Sequence, residues 1–407
     1  MLVAASCTEP VEIDEKDGGV STTGGDNGGE SGDNDTVNAV SCQEHSDCDS
    51  RICGDNGACE SENNIVYVSQ INGTSGRCGD RNSPCQTLEL ALSLVSTSRK
   101  NIFLSEGVYV ERLFLSDADL SIVGDGNAVL SLQEEDRDMD KPFVSVLTLA
   151  DGGRLNLENL ELNADGYDDD RRFLIHGVRL TSFDDMKQPS LTIKKVSVSG
   201  FNLGLSAWTA ENINITNSFF SNNSDKAISI ISAEEAIVDG IYTTNSSNGA
   251  VSIQSKNVSI QNSIFNEDSS KVVSFINDDT ENFNFSHNTL LYRRFTSSNA
   301  VTPISCDDIA NVSVTNNIIV NRALMYSDEN ITGVCPTSNS IASYDSPGDD
   351  NFWADPQFVD IINENVHLSS DSPAIDAAST LPDVVYDFDG DQRPMGAASD
   401  IGADEAR

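Results

Sequence analysis

The feature that most constrains this chain is a degenerate internal repeat, in which short apolar strands recur and close on a small polar residue. The segments read LNLENLEL, LTIKKVSV, INITNSFF, AIVDGIYT, VSIQNSIF, FNFSHNTL and VSVTNNII. With Leu157, Ile193, Ile215, Val238, Ile260, Phe285 and Val314 taken as equivalent, the first spacing is 36 residues and the others are 22, 23, 22, 25 and 29. A repeat on this scale marks a solenoid, in which each unit covers the apolar face of the next. Two residues past the reference positions stand Asn159, Lys195, Asn217, Gly240, Asn262, His287 and Asn316. The asparagines among them point to a partial ladder at a turn, each amide bonding the coil above or below. In INITNSFF the period of two puts Ile213 and Ile215 on one side and Asn214 and Thr216 on the other, so the apolar side fills the interior.

One coil of a parallel β-helix takes about this many residues, and the expected fold is an all-β solenoid of that kind. Eleven or so coils at ~4.8 Å each make a rod of roughly 50 Å. Missing helices exclude a doubly wound α/β fold. A β-sandwich or propeller stays as the runner-up, because short strands alone do not fix topology. The body opens at Ile65, and residues 87–95 read as a short helix with Leu88, Ala91, Leu92 and Val95 on one face. Such a helix would cap the first, otherwise open, rung.

Ahead of the body lie three compositionally distinct stretches. Residues 1–7, MLVAASC, resemble the end of a bacterial lipoprotein signal cut short, with Cys7 the expected acylation site and Ala4 where leucine is commoner. Residues 8–40 are Gly, Ser, Thr, Asn and acid, which cannot bury a core and read as a disordered tether. Residues 41–60 carry Cys42, Cys48, Cys53 and Cys59. Gaps of this kind lack the paired knuckles of zinc sites and imply a disulfide module, a knob or spacer, with three pairings open. Cys78, Cys85, Cys306 and Cys335 complete an even set of eight, which points to export into an oxidising compartment.

The chain's end reads NFWADPQFVD, SSDSPAIDAAS and YDFDGDQRPMGAASDIGADE. With these motifs, residues 65–405 resemble the right-handed parallel β-helix proteins of the pectate-lyase-like superfamily, in particular exported bacterial members that close on SPAID, DG, RP and DIGA-E. The resemblance implies a β-helix over residues 61–350, a C-terminal cap over 351–407, a secreted or surface location and a polysaccharide as partner. It leaves the reaction open, because relatives include lyases, epimerases, glycosidases and adhesin-like proteins.

Two acidic constellations draw attention. In NADGYDDDRRFLIHG, Asp165, Asp168, Asp169 and Asp170 could hold calcium, with Arg171, Arg172 or His176 as the base that a lyase needs. The same residues also read as a solvated loop with chance ion pairs. In DFDGD, Asp387, Asp389 and Asp391 have the spacing of calcium ligands but lack an EF-hand's distal glutamate. A turn held by aspartate side chains is the other reading. No cofactor beyond calcium is implied. The NxD, DD, GHG and RxK order of polygalacturonases is absent: Asp184 and Asp185 form a DD, but IHG precedes it and no RxK follows.

The formal charge of −41 makes nucleic acid an improbable partner and disfavours anionic lipid, so membrane attachment would come only through the acylated Cys7. Trp208, Tyr242 and Tyr292 are the candidate stacking platforms for sugar rings, or core and loop fillers. The expectation is a cell-surface or outer-membrane lipoprotein that binds polysaccharide without catalysis. A polysaccharide lyase or epimerase and an adhesin-like structural protein are the alternatives.

Overall fold

Period-two alternation in every repeat gives each short strand one apolar and one polar side, and the chain satisfies both by winding into stacked coils. The computed structural model describes residues 41–132, 144–164, 175–182, 184, 186–269, 271–275, 280–292, 302–306, 309, 311–322, 335–342 and 348–407. The fold is a right-handed parallel β-helix. Its first face stacks Ile175–Thr181, Leu203–Ala207, Lys226–Ile230, Val251–Ile253 and Val273–Phe275 in parallel. Its second face stacks Ser190–Lys194, Ala210–Thr216, Ala233–Asp239, Asn257–Gln261, Asn282–Ser286 and Asn311–Thr315. The long strand Val144–Glu158 pairs with both faces and joins them into one sheet. A third face is a separate sheet of ten strands, from Gly107–Val110 to Ile341–Ala342.

The turn between the second and third faces explains the asparagines. All seven positions singled out by the repeat have positive φ, between 47° and 65°, and Asn339 extends the series at 47°. Glycine and asparagine enter this left-handed region at least cost, which is why they dominate there. The amides also bridge coils: Asn339 Nδ2 donates to Asn316 Oδ1 at 2.9 Å, and Asn262 Nδ2 to Asp239 Oδ1 at 3.1 Å. One residue further on, Ser263, Asn288, Asn317 and Ser340 form a buried row, each side chain accepting a backbone N–H of the preceding coil. This buried row is thus paired rung to rung.

At the N-terminal end the helix is Leu88–Leu92, capped by Thr87, whose Oγ1 accepts the Leu90 N–H at 3.2 Å. Glu111 accepts the N–H groups of Leu88 and Glu89, both at 2.9 Å, while Leu88 and Ala91 join the core. Cys42 pairs with Cys53 and Cys48 with Cys59, and Cys78–Cys85 and Cys306–Cys335 are bonded in the body. The stapled module is not a free spacer. Its Ile52 packs with Ile65, Tyr67, Phe103 and Val123, and the Tyr67 hydroxyl donates to Ser50 O at 3.0 Å.

The chain's last stretch does more than close an end. Phe352 bridges to Ile341 beyond the last third-face strand, but the residues after it turn back along the solenoid. Val366, Leu368, Ala374, Ala378, Ile401 and Ala403 pack on the outward Ile264, Leu291, Ile318, Val320 and Ile341 of the third face. This segment is a cover on a side of the rod. The alternation at those strands is apolar on both sides because both sides are buried.

Candidate functional site

Most sequence-selected residues do not meet in a common site. Asp165, Asp168, Asp169, Asp170, Arg171, Arg172 and Cys7 lie outside the described residues, as does Asp185. His176 is 2% exposed on a first-face strand, and burial, with Arg179 adding to it, pulls its imidazole down to about 4. A neutral, enclosed ring of this kind has no access to a proton on a bound sugar. Tyr292 corrects the stacking expectation, being wholly buried among core residues with no face toward solvent.

Tyr242 lies under the C-terminal cover. Its ring stacks on Phe219 at 5.5 Å, and its hydroxyl accepts from Asn266 Nδ2 at 3.0 Å and sits 3.4 Å from Glu364 Oε2. Trp208 is exposed at the corner between the first two faces, with the Arg179 guanidinium 5.8 Å from its ring centre. In the DFDGD turn the three carboxylates face different partners. Asp387 accepts the N–H groups of Asp389, Asp391 and Glu405, whereas Asp391 is held by Arg407. Asp389 turns to His367, 2.9 Å away. That turn is bonded internally through Asp387.

A concavity lies elsewhere, along the outer side of the second face. A groove of ≈ 580 Å³ crosses Ala233–Asp239, Asn257–Gln261, Asn282–Ser286 and Asn311–Thr315. In-register pairing aligns Glu235, Asn257, Asn282 and Asn311 as one row and Ile237, Ser259, Asn284 and Ser313 as the next. Between the rows, Ala236, Val258 and Phe283 point inward to the core. The first row is an amide ladder: Asn311 Nδ2 donates to Asn282 Oδ1 at 3.0 Å, and Asn282 Nδ2 to Asn257 Oδ1 at 2.7 Å. Each amide fixes the orientation of the next and still has an unspent donor or acceptor for solvent or ligand. Four strands at about 4.8 Å spacing make the groove floor ~14 Å across the coils.

Among the described residues, the lining contains Glu235 and no lysine, arginine or histidine. It offers neutral hydrogen-bonding groups over small apolar patches. Neither Trp208 nor Tyr242 belongs to it. Asn214, the outward asparagine of INITNSFF, lies one coil earlier, on Ala210–Thr216. The signal that finds the groove is the first residue of NVSIQ, NFNFS and NVSVT, an asparagine in each.

No family model and no curated protein matches the chain. Among solved structures it is similar to a pectate lyase, Pel9A, at 16% identity over 84% of this chain and 96% of that one, with a TM-score of 0.52. It is also similar to a rhamnogalacturonan lyase, at 12% identity over 74% and 91% of the two chains with a TM-score of 0.43. A lacto-N-biosidase of type GH136 from Eubacterium ramulus aligns at 11% identity over 71% and 68%, with a TM-score of 0.38. The first of these likenesses shows the parallel β-helix fold.

Proposed function

We propose that this parallel β-helix is an exported, surface-held protein that binds a neutral polysaccharide in the second-face groove without altering it. The observation that carries the reading is the groove's lining, rows of amides and hydroxyls with no basic side chain among them. Amides and hydroxyls donate and accept at once, which matches sugar hydroxyl groups. Eliminating across a uronate needs a base and a cation beside its carboxylate, and the lining offers one carboxylate, Glu235, and no cationic side chain. Glu235 and the overall charge of −41 would repel a polyanion. Four disulfides support export, since such bonds persist outside reducing compartments. Acylation at Cys7, with residues 8–40 as tether, completes the proposal for how the rod is held.

The test titrates the full chain with neutral and anionic polysaccharides in chelator and then in calcium, with product analysis on every binder. Neutral glycans alone should bind in chelator, and no new chain ends should form. Replacing Asn282 and Asn284 with alanine should weaken binding by about 1 kcal/mol for each hydrogen bond lost. Chelator-resistant binding of an anionic polymer, or turnover of any binder, would overturn the proposal.

A further inference from the structure

We propose a second site of different chemistry, a divalent transition-metal site of the zinc class formed by His367, Asp389 and Asp404 in the C-terminal cover. One ligand atom from each of the three lies within 4.8 Å of the others. They come from separate stretches: the strand Asn365–Leu368, the turn at residues 387–391 and the closing segment.

Each side chain is held from behind. His367 Nδ1 is 2.6 Å from Asn365 Oδ1, an atom that only accepts, so Nδ1 donates there, and Nε2 is the nitrogen turned to the carboxylates, 2.9 Å from Asp389 Oδ2, where a bound ion would take the place of an Nε2 proton. An imidazole whose rear nitrogen donates to an amide oxygen is arranged as metal-bound histidines are. Asp404 is 6% exposed, and one of its oxygens accepts the Leu368 N–H at 2.7 Å. Its remaining lone pairs are free for a ligand, and a carboxylate buried on one backbone donor is costly without a cation. Asp389 is oriented by its own N–H, which donates to Asp387 Oδ1 at 2.9 Å.

The donor set selects the ion. One imidazole nitrogen and two carboxylates suit zinc-class ions, whereas calcium and magnesium prefer oxygen alone. Zinc bonds of about 2.0–2.2 Å place neighbouring donors roughly 3.3 Å apart. His367 Nε2 and Asp389 Oδ2, now 2.9 Å apart, need only a small opening, which two partly exposed side chains can make. Three protein ligands leave room for water in a fourth position. A bound ion would clasp the strand to the two loops and hold the cover on the third face. The site shares no residue with the second-face groove, so its failure and that of the glycan proposal are separately visible.

The experiment is calorimetric titration of the full, disulfide-intact chain with zinc chloride after chelator treatment, with calcium chloride in parallel. One saturable zinc site and a zinc-dependent rise in melting temperature are expected, with no equivalent for calcium. Both should vanish in His367→Gln and in Asp404→Asn, which keeps an acceptor for the Leu368 N–H. Asn365→Ala should weaken zinc about tenfold through loss of the rear hydrogen bond. His45→Gln, far from the site in sequence, should leave the zinc affinity and the zinc-dependent rise unchanged. X-ray absorption at the zinc edge of the unsubstituted chain should show one nitrogen neighbour among oxygens, a readout independent of how well any variant folds. Absence of a saturable site, sulfur ligation, or zinc binding that persists in both ligand variants would overturn the assignment.

Discussion

At the level of single residues, position in the coil decides chemistry more than residue type does. Glu267 shows this most clearly. It follows the third-face strand Ile264–Asn266, is fully buried, and accepts the Ser246 N–H at 2.6 Å. Burial pushes its carboxyl from 4.5 up to about 7. An acid raised in the folded state holds its proton there at pH values where the unfolded chain has released it. Stability therefore falls as pH rises from 4.5 toward 7 and levels off above, by up to about 3 kcal/mol. Glu267→Gln keeps the acceptor and removes the titration, so denaturant unfolding of the variant should lose this slope and exceed the parent above pH 7. A variant whose pH profile parallels the parent's would refute the burial argument. The turn residues were legible in the sequence because their spacing repeats and their left-handed backbone favours Asn and Gly. His176 was not. Whether a strand residue points in or out depends on coil register, and the segment before it breaks the repeat with its gap of 36 residues.

Among elements, the C-terminal cover depends on one buried ion pair. Arg393 Nη1 donates to Glu405 Oε2 at 2.8 Å and to Asp400 O at 3.0 Å, and Nη2 donates to Gly402 O at 2.8 Å. Both side chains are essentially inaccessible. Glu405 in turn accepts the N–H groups of Met395 and Asp400, so the pair ties together the whole closing motif. Arg393→Ala strands a buried carboxylate and should cost about 3–5 kcal/mol. The loss should be local, because solenoid elements contact chiefly their neighbours. Hydrogen exchange should quicken at 358–405 and at the third-face strands beneath, while the first-face strands keep their protection. Uniform loss of protection would show that cover and rod unfold as one unit. The motif itself was readable from SPAID to DIGADE, but its seat was not. The contacts that place it join residues such as Thr289 and Ala403, 114 positions apart, and no local pattern encodes such a pairing. The Cys-rich module has the same history. Its bonds were foreseeable from cysteine spacing, while its docking rests on one isoleucine, on the Tyr67 hydroxyl at Ser50 O and on His45, 3.2 Å from Glu158.

Across the whole molecule, the architecture separates shape from charge. Stacked coils supply the core, and the chain carries 65 acidic against 24 basic side chains, the described ones mostly on its outer surface. Self-repulsion on that surface opposes the compact state, and salt relieves it: the screening length shrinks from about 30 Å at 0.01 M to about 8 Å at 0.15 M. The melting temperature should accordingly rise over this interval. The same titration discriminates between ligands. A neutral glycan lying on Asn257, Asn282 and Asn311 meets amide dipoles and no net charge of its own, so its dissociation constant should stay level with salt. A polyanion must overcome the acidic field, and its binding should strengthen as salt screens that repulsion. Calorimetry of one neutral and one anionic polymer against the full chain at both salt concentrations, in chelator, decides the matter. Binding of an anionic polymer that instead weakens with salt would mean that cations outside the described groove gather at a site of their own.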